Sequence, residues 1–561
     1  MDNGGDSGTR GREGREWFVP AHFQPALPLD RLLLRAASPG AGDRTDLDVL
    51  IVGAGPAGLA AAIELARLAR AAHRELRIGV LEKAQALGEH SLSGAVVNPR
   101  PFRELFPHLN DSDFPFRAAV SGERVCLLTT RRAWTLPTPP TMRNAGNYVA
   151  SLCEIVRWLG AQAEALGVTV LTGFPAAALL VDGERVVGVR TAAAGLDRGG
   201  QPLATYVPPN DLVAHVTALA EGTRGLLSQA YLAWQHISSE NPQTFALGVK
   251  EIWETKRPLA TIVHTLGWPV PSAAFGGSFL YPLEPRLVAL GLVVGLDYRD
   301  SMLDVHGLLQ RLKQHRAVRR YLDGGELVEW GAKTIPEGGY YSLPARRSGD
   351  GIVILGDSAG FVDVPSLKGV HYAMHSGILA ARAMFRALAG PGPTAAALAE
   401  YDRLVNNSYI VHDLYRTRNM RLAFSHGLYA GGIQAALMTL TGGRFPSRRI
   451  AIPPDAAVAR RAGPAPSFVP DGKVTFSKAD GVFKSGNTTR DTIPPHLVVA
   501  GSVPPDVAAF YAHLCPAGVY EAAEDGLRVN APNCIDCKAT DVLGPRWTPR
   551  EGGAGPRYRR M

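Results

Sequence analysis

The residue types that could do chemistry gather near the two ends of the chain. Towards the C-terminus Cys515 precedes Pro516, and Cys534 and Cys537 form a Cys-x-x-Cys pair further on. Thiolates presented by adjacent loops are what an iron–sulfur cluster requires, so this spacing points to a ferredoxin-type site. A zinc site, or thiols that bind nothing, are the alternatives. Towards the N-terminus Gly53-x-Gly55-x-x-Gly58 directly follows the apolar run 49–52, and a helical pattern with Leu59, Ile63, Leu65, Ala66 and Leu68 in its apolar positions begins there. In such a turn Gly53 bends the chain, Gly55 lets backbone approach a pyrophosphate and Gly58 permits close helix–strand contact. The phosphates would rest on the helix N-terminus. A second apolar run, 76–81, ends in Glu82, a carboxylate placed to hold a ribose hydroxyl.

A third motif selects the cofactor. Residues 351–360, GIVILGDSAG, read as a buried strand followed by Gly356, Asp357 and a helix start. Asp357 can accept a hydrogen bond from a ribityl hydroxyl while the helix N-terminus faces the pyrophosphate or the ring. An N-terminal GxGxxG with a distant strand-Gly-Asp marks FAD folds of the glutathione-reductase and hydroxybenzoate-hydroxylase type. The predicted class is therefore α/β, α+β overall, with a Rossmann-like FAD-binding domain. The turn 217–225, with Glu221-Gly222 and Arg224-Gly225 opening a helix, is expected to close the same site. The small-residue loop 87–95 would let backbone reach a flat ring.

These sites need a framework, and composition allows one. The 561 residues, 46% hydrophobic, are enough for two to four domains of roughly 100–200 residues. No uninterrupted apolar run reaches about 18 residues, so no spanning helix is predicted, and the first residues lack a signal peptide's apolar region. Five cysteines, an odd number, argue against a disulfide framework and for a reducing compartment. The net charge of +8 suits an acidic partner or an anionic membrane surface. No aromatic-interleaved basic stripe is present, which sets nucleic acid aside.

Residues 1–45 read as a flexible arm whose Trp17, Phe18, Phe23 and leucines 32–34 form a patch able to dock. A short amphipathic element is expected at 99–106, a helix over 147–166, and strands of a β-ribbon at 168–172 and 185–190. The block 230–345 reads as an inserted substrate domain, in which Gly276-Gly277 marks a bulge or a close backbone approach by a ligand. Helices are expected from 368 to 384 and from 395 to about 440. Within the latter, 427–440 is uncharged and Arg444, Arg448 and Arg449 follow. An apolar surface element bordered by arginines suits a protein lying on a membrane; a buried core helix explains the apolar part as well.

Several stretches together resemble the electron transfer flavoprotein-ubiquinone oxidoreductase family: VGAGPAGL (52–59), LSGA (92–95), GWP (267–269), GGSFLY (276–281), GLVVGLDY (291–298), CPAGVYE (515–521) and EGGAGP (551–556). The resemblance spans about 46–561. It implies a monotopic membrane enzyme carrying FAD and a 4Fe-4S cluster, which takes electrons from reduced electron transfer flavoprotein and delivers them to ubiquinone. It implies an FAD domain with membrane-facing helices (46–229 and 346–455), a ubiquinone-binding domain (230–345) and a ferredoxin-like iron–sulfur domain (456–561). The expected location is peripheral, on the cytoplasmic side of a bacterial inner membrane. Gly276 and Gly277 fall where the family binds quinone, and Cys515, Cys534 and Cys537 on three of its four cluster ligands. Flavin and quinone would carry the chemistry, so no catalytic side chain is singled out.

The fourth ligand position holds Thr540. A hydroxyl is a weak iron ligand, which leaves a 3Fe-4S cluster, a cubane completed by Asp541 or water, or no cluster. Asp536 stands where the family carries His, and a carboxylate there is expected to lower the cluster potential. Two rival readings are an FAD-dependent reductase or hydroxylase of an isoprenoid or aromatic substrate, and an electron-relay or docking protein without turnover.

Overall fold

The apolar run before the glycines forms the centre of a parallel sheet. The computed structural model describes residues 17–36, 40–390, 392–464, 468–524 and 526–561. Five parallel strands, β1 (Arg44–Val52), β2 (Ile78–Glu82), β3 (Thr169–Thr172), β4 (Asp211–Leu219) and β5 (Ile352–Ile354), lie in the order 3-2-1-4-5. Val49, Leu50 and Ile51 are fully buried, as a strand covered on both faces requires. Helix α1 (Pro56–Ala71) follows the glycines, and α2 (Val370–Ala389) packs on it where Gly377 meets the Ala57 backbone. A Cβ at Gly377 would strike the Ala57 carbonyl, so the helices owe their close approach to that residue.

The segments 168–172 and 185–190 do not make a ribbon of their own. The first is the outer parallel strand beside β2. The second, Arg185–Thr191, pairs antiparallel with Ala176–Asp182 and with the start of β4. The N-terminal segment also differs from expectation. Leu33–Arg35 adds a parallel strand beside residues 179–181, Phe18 is bridged to Arg460, and Leu32 is buried. Residues 17–36 are thus docked through their apolar side chains; the Gly- and Arg-rich stretch before them lies outside the described residues.

The second sheet has seven strands, Glu326–Pro336, Phe245–Glu254, Leu287–Gly295, Gly276–Glu284, Ile262–Gly267, Glu123–Leu128 and Ala133–Leu136, in that spatial order. Its last two strands come from outside 230–345, joined by parallel pairing of 262–267 with 123–128. No bulge occurs at Gly276-Gly277: the pair is in regular register with Val294 and Val293, and the shift falls between Pro282 and Glu284. The C-terminal segment packs its helix Pro505–Leu514 and the three cysteines into the same apolar core as Trp253 and Trp330 of this sheet.

Candidate functional site

Gly53, Glu82 and Asp357 stand at the carboxyl ends of β1, β2 and β5, the edge at which open α/β sheets bind ligands. Gly53 has φ +106°, and a Cβ there would meet the Ala220 carbonyl at the end of β4. A Cβ on Gly58 would strike the Gly53 carbonyl. Gly55 is different: a Cβ there meets nothing within 4 Å, leaving open space at the α1 N-terminus. The Glu82 carboxylate accepts from Ala54 N at 3.2 Å and Ala84 N at 2.8 Å, which fixes it beside the glycine turn. Gly356 has φ +58° and its N donates to Ser376 Oγ at 3.0 Å. Burial pushes the Asp357 carboxyl up to about 6, while the Thr223 hydroxyl pulls the other way. The Ser358 hydroxyl donates to the Gly222 carbonyl at 2.9 Å, so the 221–225 turn closes over the Asp357 loop. An open cradle at a helix N-terminus, flanked by two carboxylates, fits an FAD.

Gly276 and Gly277 begin a strand that runs between two close neighbours. A Cβ on Gly276 would lie 2.5 Å from the Val293 carbonyl oxygen, and one on Gly277 2.7 Å from that of Thr265. What comes close to these glycines is neighbouring backbone. Beside them the Thr265 and Ser278 hydroxyls are hydrogen-bonded, and His264 Nδ1 lies 3.3 Å from Tyr281 OH. Burial, then the charge on Lys368, lowers His264 to about 4. Lys368, 8% exposed, donates from Nζ to the Ser366 carbonyl at 2.8 Å, and burial lowers it to about 8. Its neighbour Gly369 caps α2, where an added Cβ would come within 3.8 Å of Asp357, and the Lys368 charge is felt at His264 of the strand beside the glycines.

The three C-terminal cysteines are buried together. Burial pushes the Cys534 thiol up to about 12, and Cys537 is raised by burial and by its Cys515 and Cys534 neighbours. Thiols held this way become ligands only when a metal draws off their protons. Lys333 and Lys538 are half-buried nearby, each donating at 3.1 Å to a backbone carbonyl, of Asp536 and Arg224 respectively. Three thiols with a Lys333 charge acting on Cys537 fit an anionic iron–sulfur cluster at three of its corners; the fourth has no thiol.

The two nearby carboxylates are already engaged. Asp536 receives Arg550 Nη2 and Trp547 Nε1, both at 2.9 Å, and is paired with Lys83. Burial alone would raise its pKa, but Arg550 and Lys83 hold it well below the carboxylate range. Two cations, Lys83 and Arg550, thus accompany the carboxylate of Asp536. Asp541 receives Arg224 Nε at 2.9 Å and Trp547 N at 3.0 Å. The Arg224 contact ties the FAD-closing turn to the cysteine loop. Neither it nor Lys83 and Arg550 was signalled by a local motif.

Helix α3 (Leu428–Leu440) is not a core helix. Only Gly431 and Met438 are buried, whereas Tyr429, Ile433, Leu437, Leu440 and, beyond it, Phe445 are exposed. Arg444, Arg448 and Arg449 border this face. Leu428 N donates to the Ser272 carbonyl at 2.8 Å, and Phe424 packs on Phe275, ring centroids 5.0 Å apart, immediately before Gly276. Among the described residues no helix is long and apolar enough to cross a membrane.

Comparison with known proteins matches three families. "ETF-QO, ubiquinone-binding" covers residues 245–335, "Electron transfer flavoprotein-ubiquinone oxidoreductase, 4Fe-4S" covers 472–559, and an "NAD(P)-binding Rossmann-like domain" covers 51–111. The chain is similar to the electron transfer flavoprotein-ubiquinone oxidoreductase of Pseudomonas aeruginosa, 38% identical over 92% of this chain and 99% of that one. It is similar to the mitochondrial enzymes of Oryza sativa, at 40% identity over 92% and 94% of the two chains, and Homo sapiens, at 38% over 92% and 89%. Among solved structures, a geranylgeranyl bacteriochlorophyll reductase-like protein of Thermoplasma acidophilum shares the fold, with a TM-score of 0.56 and 17% identity over 72% of this chain and 96% of that one.

Proposed function

The chain belongs to the electron transfer flavoprotein-ubiquinone oxidoreductase family, and we infer from this premise how its parts divide the work. It accepts electrons from electron transfer flavoprotein and passes them to ubiquinone, with FAD and the cluster of its 4Fe-4S domain as cofactors. When bound, FAD exchanges electrons singly or in pairs and the cluster exchanges them singly, which lets a one-electron donor reduce a two-electron acceptor. Neither the FAD-reductase or hydroxylase reading nor the docking-protein reading is favoured, since neither accounts for the ubiquinone-binding and 4Fe-4S matches together.

Gly53, Gly55 and Gly58 hold the FAD pyrophosphate, Glu82 a ribose hydroxyl, and Gly356 with Asp357 the ribityl chain. Cys515, Cys534 and Cys537 hold the cluster, and Gly276-Gly277 line the approach of the quinone ring. The domains are the FAD domain (46–229 and 346–455), the quinone domain (230–345, completed by strands 123–136) and the iron–sulfur domain (456–561). Lys368 Nζ is the group placed to hold a proton between flavin and quinone, and burial keeps that proton readily released near neutral pH. The exposed face of α3 lies in the headgroup region of a membrane, with the arginines against anionic lipid. On this reading the protein is monotopic, and the location we propose for it is the cytoplasmic side of a bacterial inner membrane.

One observation carries the assignment: contacts join the FAD-closing turn to the cysteine loop and the glycine strand to α3. Arg224 links the turn over Asp357 to Asp541 behind the cysteines, and Phe275, next to Gly276, packs on Phe424 at the root of α3. The test is anaerobic mixing of the holoenzyme with reduced electron transfer flavoprotein or with NADPH, followed by flavin absorbance. Bleaching by the flavoprotein alone supports the reading; bleaching by NADPH alone overturns it in favour of a reductase or hydroxylase.

A further inference from the structure

The region matched as a 4Fe-4S domain, 472–559, contains three cysteines, whereas a cubane held by protein takes four thiolates. The spacing shows which corner is short. Cys534 and Cys537 are three residues apart, and three residues further stands Thr540, where a Cys-x-x-Cys-x-x-Cys run would place its third thiol. Thr540 is buried in the short helix Ala539–Leu543 that begins two residues after Cys537. Its Oγ1 lies 3.4 Å from Tyr520 OH, and Tyr520 packs in the same buried apolar cluster as Cys515, Cys534 and Cys537. The hydroxyl therefore borders the apolar cluster that holds the three thiols.

The two neighbouring carboxylates have other partners among the described residues: Asp536 takes Arg550, Trp547 and Lys83, with Cys534 Sγ 3.7 Å from its Oδ1, and Asp541 takes Arg224 and the Trp547 backbone. His496 lies close to Cys534 and Asp536, within 4.8 Å. Its Nε2 faces the Arg550 guanidinium at 3.4 Å, on the side of Asp536.

Resting on the reading of this domain as a cluster site, we propose that the cluster is site-differentiated. Three irons are held by Cys515, Cys534 and Cys537, while the fourth faces Thr540, is held by oxygen from its hydroxyl or from water, and is exchangeable. A hydroxyl is a weak ligand beside a thiolate. A cluster held in this way would, on giving one electron to a one-electron oxidant such as ferricyanide, release that iron as Fe²⁺ and leave [3Fe-4S]⁺; a one-electron reductant and Fe²⁺ would reverse the step. The protein thereby holds an oxidation- and iron-responsive corner next to its flavin-closing turn.

The experiment uses anaerobically purified holoenzyme and its Thr540→Cys variant. Each is treated with one equivalent of ferricyanide, desalted, and examined for iron and flavin content and by electron paramagnetic resonance without added reductant. Wild type is expected to fall from about four irons per FAD to about three and to gain the signal of an oxidised three-iron cluster. Isotopically labelled Fe²⁺ with dithionite should restore the fourth iron and place the label there alone. Thr540→Cys should keep all its iron and give no such signal. Retention of four irons by wild type, or equal loss from both proteins, overturns the proposal while leaving the cluster domain intact. Full flavin with no iron in either protein overturns the cluster reading beneath it.

Discussion

If the exposed face of α3 is the membrane anchor, Ile433→Asp with Leu440→Asp should detach the protein from lipid without unfolding it. Ile433 is 68% exposed and Leu440 83%, and Tyr429, Leu437 and Phe445 add 71%, 43% and 58%. Burying a large apolar side chain contributes about 1.5–3 kcal/mol, so immersing the exposed fractions is worth on the order of 5–10 kcal/mol in all. The two substitutions remove roughly 3 kcal/mol of that. They also bring two carboxylates to an anionic surface, at about 1 kcal/mol each. At 1.4 kcal/mol per factor of ten, vesicle partitioning should fall at least about a hundredfold. Both side chains project into solvent, so stability should change by only about 0.5 kcal/mol per site. The assay is co-sedimentation with vesicles containing phosphatidylglycerol, with bound FAD reporting the fold. A double variant that retains FAD and sediments like wild type would refute the anchoring role of this face.

Three further outcomes are expected. Gly55→Val should fold, because a Cβ there meets nothing within 4 Å, yet lose at least about tenfold in FAD affinity; flavin retention against thermal midpoint of the apoprotein checks it. Lys368→Met should slow reoxidation of the reduced flavin by a water-soluble ubiquinone on the order of a hundredfold, and stopped-flow reduction by the partner flavoprotein should remain fast; equal rates of reoxidation would remove Lys368 as the proton holder. Asp455 is buried, accepts Phe245 N at 2.7 Å, and is pushed up to about 8 by burial and by Asp297, against Arg421 and Arg460. The folded chain holds a proton there that the unfolded chain releases from about pH 4 upward, so stability falls as pH rises towards 8, by at most roughly 1.4 kcal/mol per unit. Asp455→Asn should flatten that slope in thermal melts.

The FAD cradle was legible because its signals are local: strand, glycines, helix and Glu82 lie within one βαβ unit, and Asp357 within one strand–turn. The cysteines were legible for the same reason. Long-range pairings were not. Residues 123–128 carry no sign that they pair with 262–267, and the docked segment 17–36 shows only scattered apolar side chains whose partner strand, 176–182, is far along the chain. Strand 168–172 was read as ribbon because a short β-rich run has the same appearance at the edge of a parallel sheet. Asp536 shows the cost most clearly. Its type suggested a carboxylate that lowers a cluster potential, and its charge is accompanied by Lys83 and Arg550, which approach from opposite sides in sequence. Gly276-Gly277 likewise read as a bulge or a close approach by a ligand, whereas no bulge is present and the Val293 and Thr265 carbonyls of adjacent strands leave no room for a Cβ there.

The most direct test of the whole is steady-state electron transfer with the holoenzyme on ubiquinone-loaded vesicles, reduced electron transfer flavoprotein as donor and quinol formation as readout. Quinol should accumulate in proportion to enzyme and depend on the donor flavoprotein, and it should collapse when Ile433→Asp and Leu440→Asp detach the protein from the membrane. A flavin that the donor reduces but that never delivers electrons to membrane ubiquinone would contradict it.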